Sequence, residues 1–228
     1  MAKKKVSVHP AKERKITNGP IRNKERTRKK LTDAVGKVFA KEGYANLTAI
    51  KIASVAKVDR KLIYLYFGSL NNMIDCYFKE NDFWVQTYNK DIAQLLLKQQ
   101  PLNQQAIMTI LKGQLDRIMN NKTFQKVIQW ELSEKNKHMR KLSDERELVG
   151  EQLFNLTEDR FIGSGADLRA TLALQIAGIY YLALHAKVNG STFCGIDINL
   201  PAGKQRIENA LKQIINDTFD KVKSIKHK

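Results

Sequence analysis

The chain is poor in the residues that cross-link or interrupt a fold. Its 228 residues include only two cysteines, Cys76 and Cys194, and four prolines. Two cysteines do not make a disulfide framework, so we expect two reduced thiols in a cytoplasmic protein. No apolar run approaches the ~18 residues of a membrane-spanning helix. The lysine-rich start is not followed by the apolar stretch of a secretory signal.

Strand-like alternation of apolar and polar residues is also scarce and never persists beyond a few residues. Helical spacing is frequent instead, which predicts an all-α fold of about nine helices. We divide the chain into a flexible basic arm at 1–22, a three-helix domain at 23–69 and a larger helical domain at 70–228. In the larger domain, helices are expected at 70–98, 102–120, 123–138, 142–162, 167–189 and 203–224.

Acidic residues are outnumbered, and the imbalance is greatest at the N-terminus. The formal net charge is +17, and the first thirty residues hold twelve lysines and arginines against Glu13 and Glu25. A basic segment of this kind favours a polyanion as its partner. Two interpretations of the arm stay open: it follows phosphates or enters a minor groove, or it is a tail that contacts nothing.

The stretch from residue 24 to residue 56 has the pattern of two short helices. In the first, apolar residues at spacings of three and four form one stripe, and Gly43 is placed to end the helix. Thr48 is a good N-cap for a second helix at 49–56. The stripe of the first helix consists of Leu31, Ala34, Val35, Val38 and Phe39.

A third helix is predicted at 60–67, with Asp59 as its cap. Ile63 and Phe67 share a face and are expected in the core. The outer face is left to Arg60, Lys61 and Tyr64. Two helices joined by a short turn form a helix-turn-helix, whose second helix enters the DNA major groove and reaches base edges with its N-terminal residues.

Residues 43–48 (Gly-Tyr-Ala-Asn-Leu-Thr), Ile52-Ala53 and residues 62–69 (Leu-Ile-Tyr-Leu-Tyr-Phe-Gly-Ser) resemble the tetracycline-repressor (TetR) family. The resemblance covers about residues 24–73. It implies a homodimeric, sequence-specific transcriptional regulator that binds a double-stranded operator and acts as a repressor released by a small-molecule ligand. The predicted DNA-binding residues are Lys24, Arg28, Thr48, Lys57, Arg60, Lys61, Tyr64 and Tyr66.

Four positions depart from the family's common pattern: Lys51, Lys57, Asp59 and Leu70. Lys57 stands where a turn glycine is frequent, and a positive φ there would cost a non-glycine residue energy. Leu70 takes the place of a common lysine, which puts one expected phosphate contact in doubt.

The helix expected at 167–189 is apolar nearly all round, so it must be covered on all sides. Together with the helix at 203–224 it predicts a four-helix interface between two copies of the chain. The alternative is two core helices of a monomer. The predicted interface residues are Leu172, Ile176, Ile179, Leu211, Ile214 and Ile215.

Large apolar side chains on the middle helices are candidates for a ligand pocket, although each of them is more often plain core. The expected ligand is a small hydrophobic or amphipathic molecule. The candidates are Phe83, Met108, Leu111, Leu115, Met119, Phe124, Trp130 and Phe154.

No pattern of catalytic or cofactor-binding residues stands out, so we expect no enzyme activity and no cofactor. Glu131, Glu134 and His138 fall on one helical face, which could hold a metal, but a matching set on a second helix is missing. A solvated charged face explains them equally well, so no metal site is predicted.

Two other functions remain as alternatives. The first is a nucleic-acid-binding protein that uses the basic arm without regard to sequence, which predicts equal affinity for any duplex and a steep salt dependence. The second is a carrier or small-molecule-transforming protein with an inactive DNA-binding domain, which predicts ligand binding without any DNA preference.

Overall fold

The computed structural model describes residues 20–82, 93–133 and 135–225. Over these ranges the backbone is helical apart from the connections, and strand pairing is limited to one isolated antiparallel bridge between Phe193 and Ile196. The predicted all-α class is therefore confirmed. The arm as far as residue 19 and the pocket candidate Phe83 lie outside the described residues. No helix within these ranges is long and apolar enough to cross a membrane.

Helix α1 spans Pro20–Glu42, α2 spans Ala49–Ala56 and α3 spans Lys61–Phe67. The predicted cap of α2 is confirmed, since Thr48 Oγ1 accepts a hydrogen bond from the Lys51 amide at 3.3 Å. Asp59 Oδ1 accepts one from the Lys61 amide at 2.7 Å, but Arg60 holds the N-cap position of α3, so this helix begins one residue later than predicted. The starts of these short helices depend on hydrogen bonds between neighbouring residues, so they can be predicted from the sequence.

The remaining helices pack against this N-terminal unit and against one another. They are α4 Leu70–Asn81, α5 Ala93–Leu97, α6 Gln104–Asn120, α7 Lys122–Ser133, α8 Lys137–Asn155, α9 Leu168–Val188 and α10 Pro201–Ile225. Short 3₁₀ helices lie at Tyr44–Asn46 and Glu158–Phe161.

Three of the predicted helices have the wrong ends. The helix expected at 123–138 stops at Ser133. The helix expected at 70–98 stops at Asn81, because Asp82 turns to an extended conformation with φ −72° and ψ 136°. The helix expected at 142–162 begins at Lys137, since Asn136 Oδ1 caps it by accepting from the His138 amide at 2.8 Å. It ends at Asn155, before a 3₁₀ turn.

One hydrophobic core joins α1 to α4 with α7 and α8. Its centre is aromatic: the Trp130 ring of α7 stacks on Tyr44 with centroids 3.9 Å apart and contacts Phe39 and Phe78 at 5.9 and 5.5 Å. Trp130, a candidate for the ligand pocket, therefore lies in this core and away from the walls of the cavity described below. The N-terminal helices are thus packed on the middle of the chain.

A second core lies between α6, α9 and α10. Leu115, Ile118, Ala183 and Ile215 are each 0% exposed within it. These helices form one layer, and a cavity opens where α6 and α9 face α8.

Candidate nucleic-acid interface and ligand cavity

The turn between α2 and α3 is closed by the backbone. Lys57 takes the left-handed conformation with φ 55° and ψ 48°, which confirms the positive φ expected at this position. The Val58 amide donates to the Ala53 carbonyl at 3.1 Å and the Lys57 amide to the Ser54 carbonyl at 3.2 Å. This is the Schellman pattern, and it fixes the angle at which α3 leaves α2.

Helix α3 buries one face and presents the other to solvent. Ile63 is 0% and Phe67 9% exposed, as predicted, while Tyr64 is 52% and Leu65 71% exposed. Arg60 and Lys61 are exposed at the N-terminal end of the helix. The exposed side is therefore cationic at one end and apolar to aromatic further along.

The start of α1 is held against the end of α3. Arg28 donates to the Tyr66 carbonyl, and its guanidinium lies 4.2 Å from the centroid of the Phe67 ring. Lys24 Nζ lies 5.8 Å from the centroid of the Tyr66 ring. These contacts bring two of the predicted α1 cations to the predicted recognition helix.

The predicted cations of this surface are not neutralised by the protein itself. In the described part of the chain, Lys24, Arg28, Lys57, Arg60 and Lys61 form no ion pair with an acidic side chain. Thr48 is exposed at the start of α2. Positive side chains without an acidic partner suit a polyanion.

Three apolar residues of this surface were missed by the sequence reasoning. Ile50 is 67%, Val55 40% and Leu65 71% exposed. The helical periodicity of the sequence could have identified them, because each lies off the buried face of its helix. Apolar side chains of this kind can contact the methyl group of thymine.

A cavity of about 230 Å³ lies between α6, α8 and α9, with mainly apolar walls. Two of the predicted pocket residues, Leu111 and Phe154, line it. The other apolar wall residues are Leu102, Ile107, Ile110, Leu153, Leu172, Ile176 and Tyr180.

The other described pocket candidates do not line this cavity. Leu115, Met119 and Phe124 are 0%, 8% and 2% exposed in the core of α6, α9 and α10, and Met108 packs against that core. The correction follows from the orientation of α6, whose Ile107 and Leu111 side faces the cavity.

The polar end of the cavity is built around Arg146 of α8. Its Nε and Nη2 donate to Asp82 Oδ2 at 3.0 and 2.7 Å, and its Nη1 donates to Glu131 Oε2 at 2.7 Å. Ser143 Oγ donates to Glu131 Oε1 at 2.9 Å. Burial disfavours the charge of Arg146, but the two carboxylates outweigh it and hold its pKa above the ordinary value. Asp82 follows the last residue of α4, so this network joins α4 to the cavity.

A second polar joint links α4 to α8. His138 Nδ1 bonds a carboxylate oxygen of Asp75, and Lys141 Nζ lies 3.0 Å from the other oxygen. Burial raises the pKa of Asp75, but the bonds from His138 and Lys141 outweigh it and leave that pKa below its ordinary value. These bonds tie α8 to α4, which packs on α1 and α3.

The residues considered for a metal site have other partners. Glu131 bonds Arg146 and Ser143, His138 bonds Asp75, and Glu134 lies outside the described residues. Within the ranges that the structure covers, no cluster of three or more histidine, cysteine, aspartate or glutamate side chains is arranged to hold a metal.

The predicted interface residues lie mostly inside the chain. Ile179, Leu211 and Ile215 are 1%, 6% and 0% exposed in its own core, while Leu172 and Ile176 line the cavity. In this arrangement Ile179, Leu211 and Ile215 offer no surface to a partner, and the interface itself stays a prediction. Only Ile214, at 45%, is exposed.

A different face of α9 is uncovered. Leu174, Tyr181 and Val188 are 76%, 56% and 61% exposed, and their spacing of seven residues places them along one side of the helix. The sequence carried this spacing, but an all-apolar helix does not reveal which of its sides the chain itself covers.

Comparisons with known proteins agree with this architecture. The family model described as "Bacterial regulatory proteins, tetR family" matches residues 31–74. No curated protein is significantly similar to the chain in sequence.

Among solved structures, the chain is similar to the transcriptional regulator FadR from Bacillus subtilis in complex with stearoyl-CoA. The TM-score is 0.60 at 19% identity, over 82% of this chain and 96% of that one. It is also similar to the fatty acid degradation regulator FadR from Bacillus halodurans, with a TM-score of 0.58 at 20% identity, over 85% and 95% of the two chains. These likenesses concern the fold.

The matched segment contains Thr48, the left-handed turn at Lys57 and the whole of α3, which is the surface with exposed and unpaired cations. Residues 31–74 thus belong to the tetR family of bacterial regulatory proteins, and the chain as a whole shares the fold of the two FadR regulators.

Proposed function

We propose that the protein is a homodimeric repressor that leaves its operator when a small hydrophobic or amphipathic molecule enters the cavity. The observation that carries the DNA-binding part is the exposed side of α3, with cations that no acidic side chain of the described residues neutralises. The ligand-binding part is supported by the apolar cavity.

On DNA, α3 occupies the major groove. Arg60 and Lys61 lie at its N-terminal end and would reach base edges, with guanine as the base that such side chains prefer. Thr48, Tyr64 and Tyr66 would contact the backbone together with Lys24, Arg28 and Lys57, and so set the position of the helix.

Two copies would read two half-sites related by a two-fold axis. The exposed stripe of Leu174, Tyr181 and Val188 on α9, with Ile214 on α10, is our proposed interface. It is apolar and continuous along one helix side, which suits burial against a second copy.

The switch would act through α8. A ligand between α6, α8 and α9 favours one position of α8, and the ion pairs of Asp75 and Asp82 carry that movement to α4. The spacing of the two α3 helices would then no longer match successive grooves. The complex of Bacillus subtilis FadR with stearoyl-CoA supports the idea that this fold accommodates an amphipathic molecule.

The test is fluorescence anisotropy with the intergenic DNA upstream of the protein's own gene against a shuffled duplex, at ~0.15 M salt. We expect a preference of about a hundredfold or more. Tyr64→Ala should weaken operator binding by about tenfold while sedimentation still shows a dimer. Tyr64→Phe, which keeps the ring, is the matched control.

Two outcomes would count against the proposal. Equal affinity for both duplexes, abolished by removing residues 1–19, would favour the sequence-indifferent binder. An unchanged operator affinity in Tyr64→Ala would show that α3 does not read the DNA.

A further inference from the structure

The polar end of the cavity holds more carboxylates than cations. Among the described residues of the lining, Arg146 supplies the positive charge, while Glu131 and Glu147 are acidic. Asp82 adds a third carboxylate through its bonds to Arg146. Glu147 is exposed at the cavity and forms no ion pair with any residue that the structure describes.

Arg146 has little capacity left to bind an anionic headgroup. Its Nε, Nη1 and Nη2 all donate to carboxylates, and its side chain is 9% exposed. The side chain of Asp82 is 0% exposed, so a ligand that took Arg146 away would leave a buried carboxylate without its counter-charge. That exchange is strongly unfavourable.

We infer that the cavity takes an amphiphile with a cationic head, which lies near Glu147 and Glu131 while the apolar tail contacts Leu111, Phe154 and Ile176. The inference rests on the proposed function, because it treats the cavity as the ligand site, and it adds the charge class of the ligand. A polyanionic molecule such as an acyl-CoA would meet repulsion at this end of the cavity.

Three probes with the same octyl tail separate the effect of the head from that of the tail. They are octyltrimethylammonium, octanol and octanoate, added to the full chain and followed by calorimetry at pH 7 and ~0.15 M salt. We expect the ammonium to bind most tightly and octanoate most weakly, with at least about a tenfold difference between them.

The outcomes distinguish this inference from the proposed function. Octanoate binding as tightly as the ammonium would overturn the cationic-head assignment and leave the cavity as a ligand site. Failure of all three probes to bind would overturn both. Ile176→Trp, which fills the cavity, should abolish binding of every probe, and ammonium binding that persists in this variant would place the cation elsewhere and overturn the inference.

Carboxylate variants test the charge directly. Glu147→Gln should weaken the binding of octyltrimethylammonium by at least about threefold and leave the affinity for octanol unchanged. Asp144→Asn is the matched control, since it removes the same charge from an exposed position of α8 outside the cavity. The double variant Glu131→Gln with Glu147→Gln leaves only the neutral Arg146–Asp82 pair, so its affinities for the ammonium and octanoate should agree within about twofold. If it kept the wild-type preference for the ammonium, the assignment to these carboxylates would be refuted.

Discussion

Lys57 is a residue with two opposed roles. Its left-handed backbone costs a side chain with a Cβ about 1–2 kcal/mol, and glycine recovers that strain at an entropic cost of about 0.5–1 kcal/mol. Lys57→Gly is therefore expected to stabilise the protein by about 0.5–1 kcal/mol in denaturant unfolding. It also removes an exposed cation, so operator affinity should fall and the salt dependence should lose about one phosphate contact.

Lys57→Gln separates the two roles, because it removes the charge and keeps the Cβ. It should lose operator affinity as the glycine variant does, without the gain in stability. Equal stability of the two variants would show that the turn carries no strain at this position.

At the scale of elements, the joint between α4 and α8 depends on an ionised Asp75. Bonds from His138 and Lys141 leave the folded-state pKa of Asp75 below its ordinary value of 3.8. A carboxylate whose pKa is lower in the folded than in the unfolded protein stabilises the folded state fully when the pH is above its unfolded-state pKa. This stabilisation is lost as the pH falls below about 3.8 towards the folded-state pKa. We expect Asp75→Asn to lower the unfolding temperature at pH 7.

The difference in unfolding temperature between Asp75→Asn and the wild type should shrink as the pH falls below about 3.8. Thermal unfolding followed by circular dichroism from pH 7 to pH 3 measures it. Asp144→Asn, in an exposed pair with Arg140, should show little difference at any pH. A difference that stays constant over the whole range would contradict the ionic role of Asp75.

The ends of the helices and the cavity walls show which features could be predicted from the sequence. Helix α2 was predicted with its observed bounds because Thr48 and the residues after Ala56 specify them locally. The end of α4 was not predicted, because Asp82 accepts hydrogen bonds from Arg146, which lies 64 positions further along the chain. The DNA-reading face follows from the periodicity of a seven-residue helix, whereas the cavity walls depend on which neighbours α6 and α9 meet. Periodicity states that a side is buried and does not name the helix that buries it.

In the whole molecule, the helix-turn-helix and the proposed ligand cavity are adjacent parts of one packed structure. Trp130 of α7 packs against Phe39 of α1 and Phe78 of α4, and Glu131, the next residue, bonds Arg146 at the polar end of the cavity. A ligand that displaces Arg146 or its partners would therefore disturb the support of the DNA-binding helices. In the proposed dimer the two copies would also have to be held at a fixed distance, and the α9 stripe would do this.

Leu174→Glu tests that stripe at the level of the assembly. Because of the two-fold axis, the glutamate occurs twice in the interface. Each copy loses about 1.5–3 kcal/mol from burial of the leucine side chain, so the free energy of dimerisation weakens by about 3–6 kcal/mol. The dissociation constant of the dimer should then rise by at least about a hundredfold. Operator binding should weaken with it, because a monomer contacts one half-site. Sedimentation velocity measures the first effect and anisotropy the second.

Leu132→Glu is the matched control, because Leu132 of α7 is 75% exposed against 76% for Leu174 and lies outside the stripe. The control should remain dimeric and keep its affinity for the operator, which shows that a glutamate at an exposed leucine does not itself disturb the fold. A Leu174→Glu protein that stayed as firmly dimeric as this control would move the interface off α9. The apolar stripe would then need another partner, and the spacing of the two reading helices another explanation.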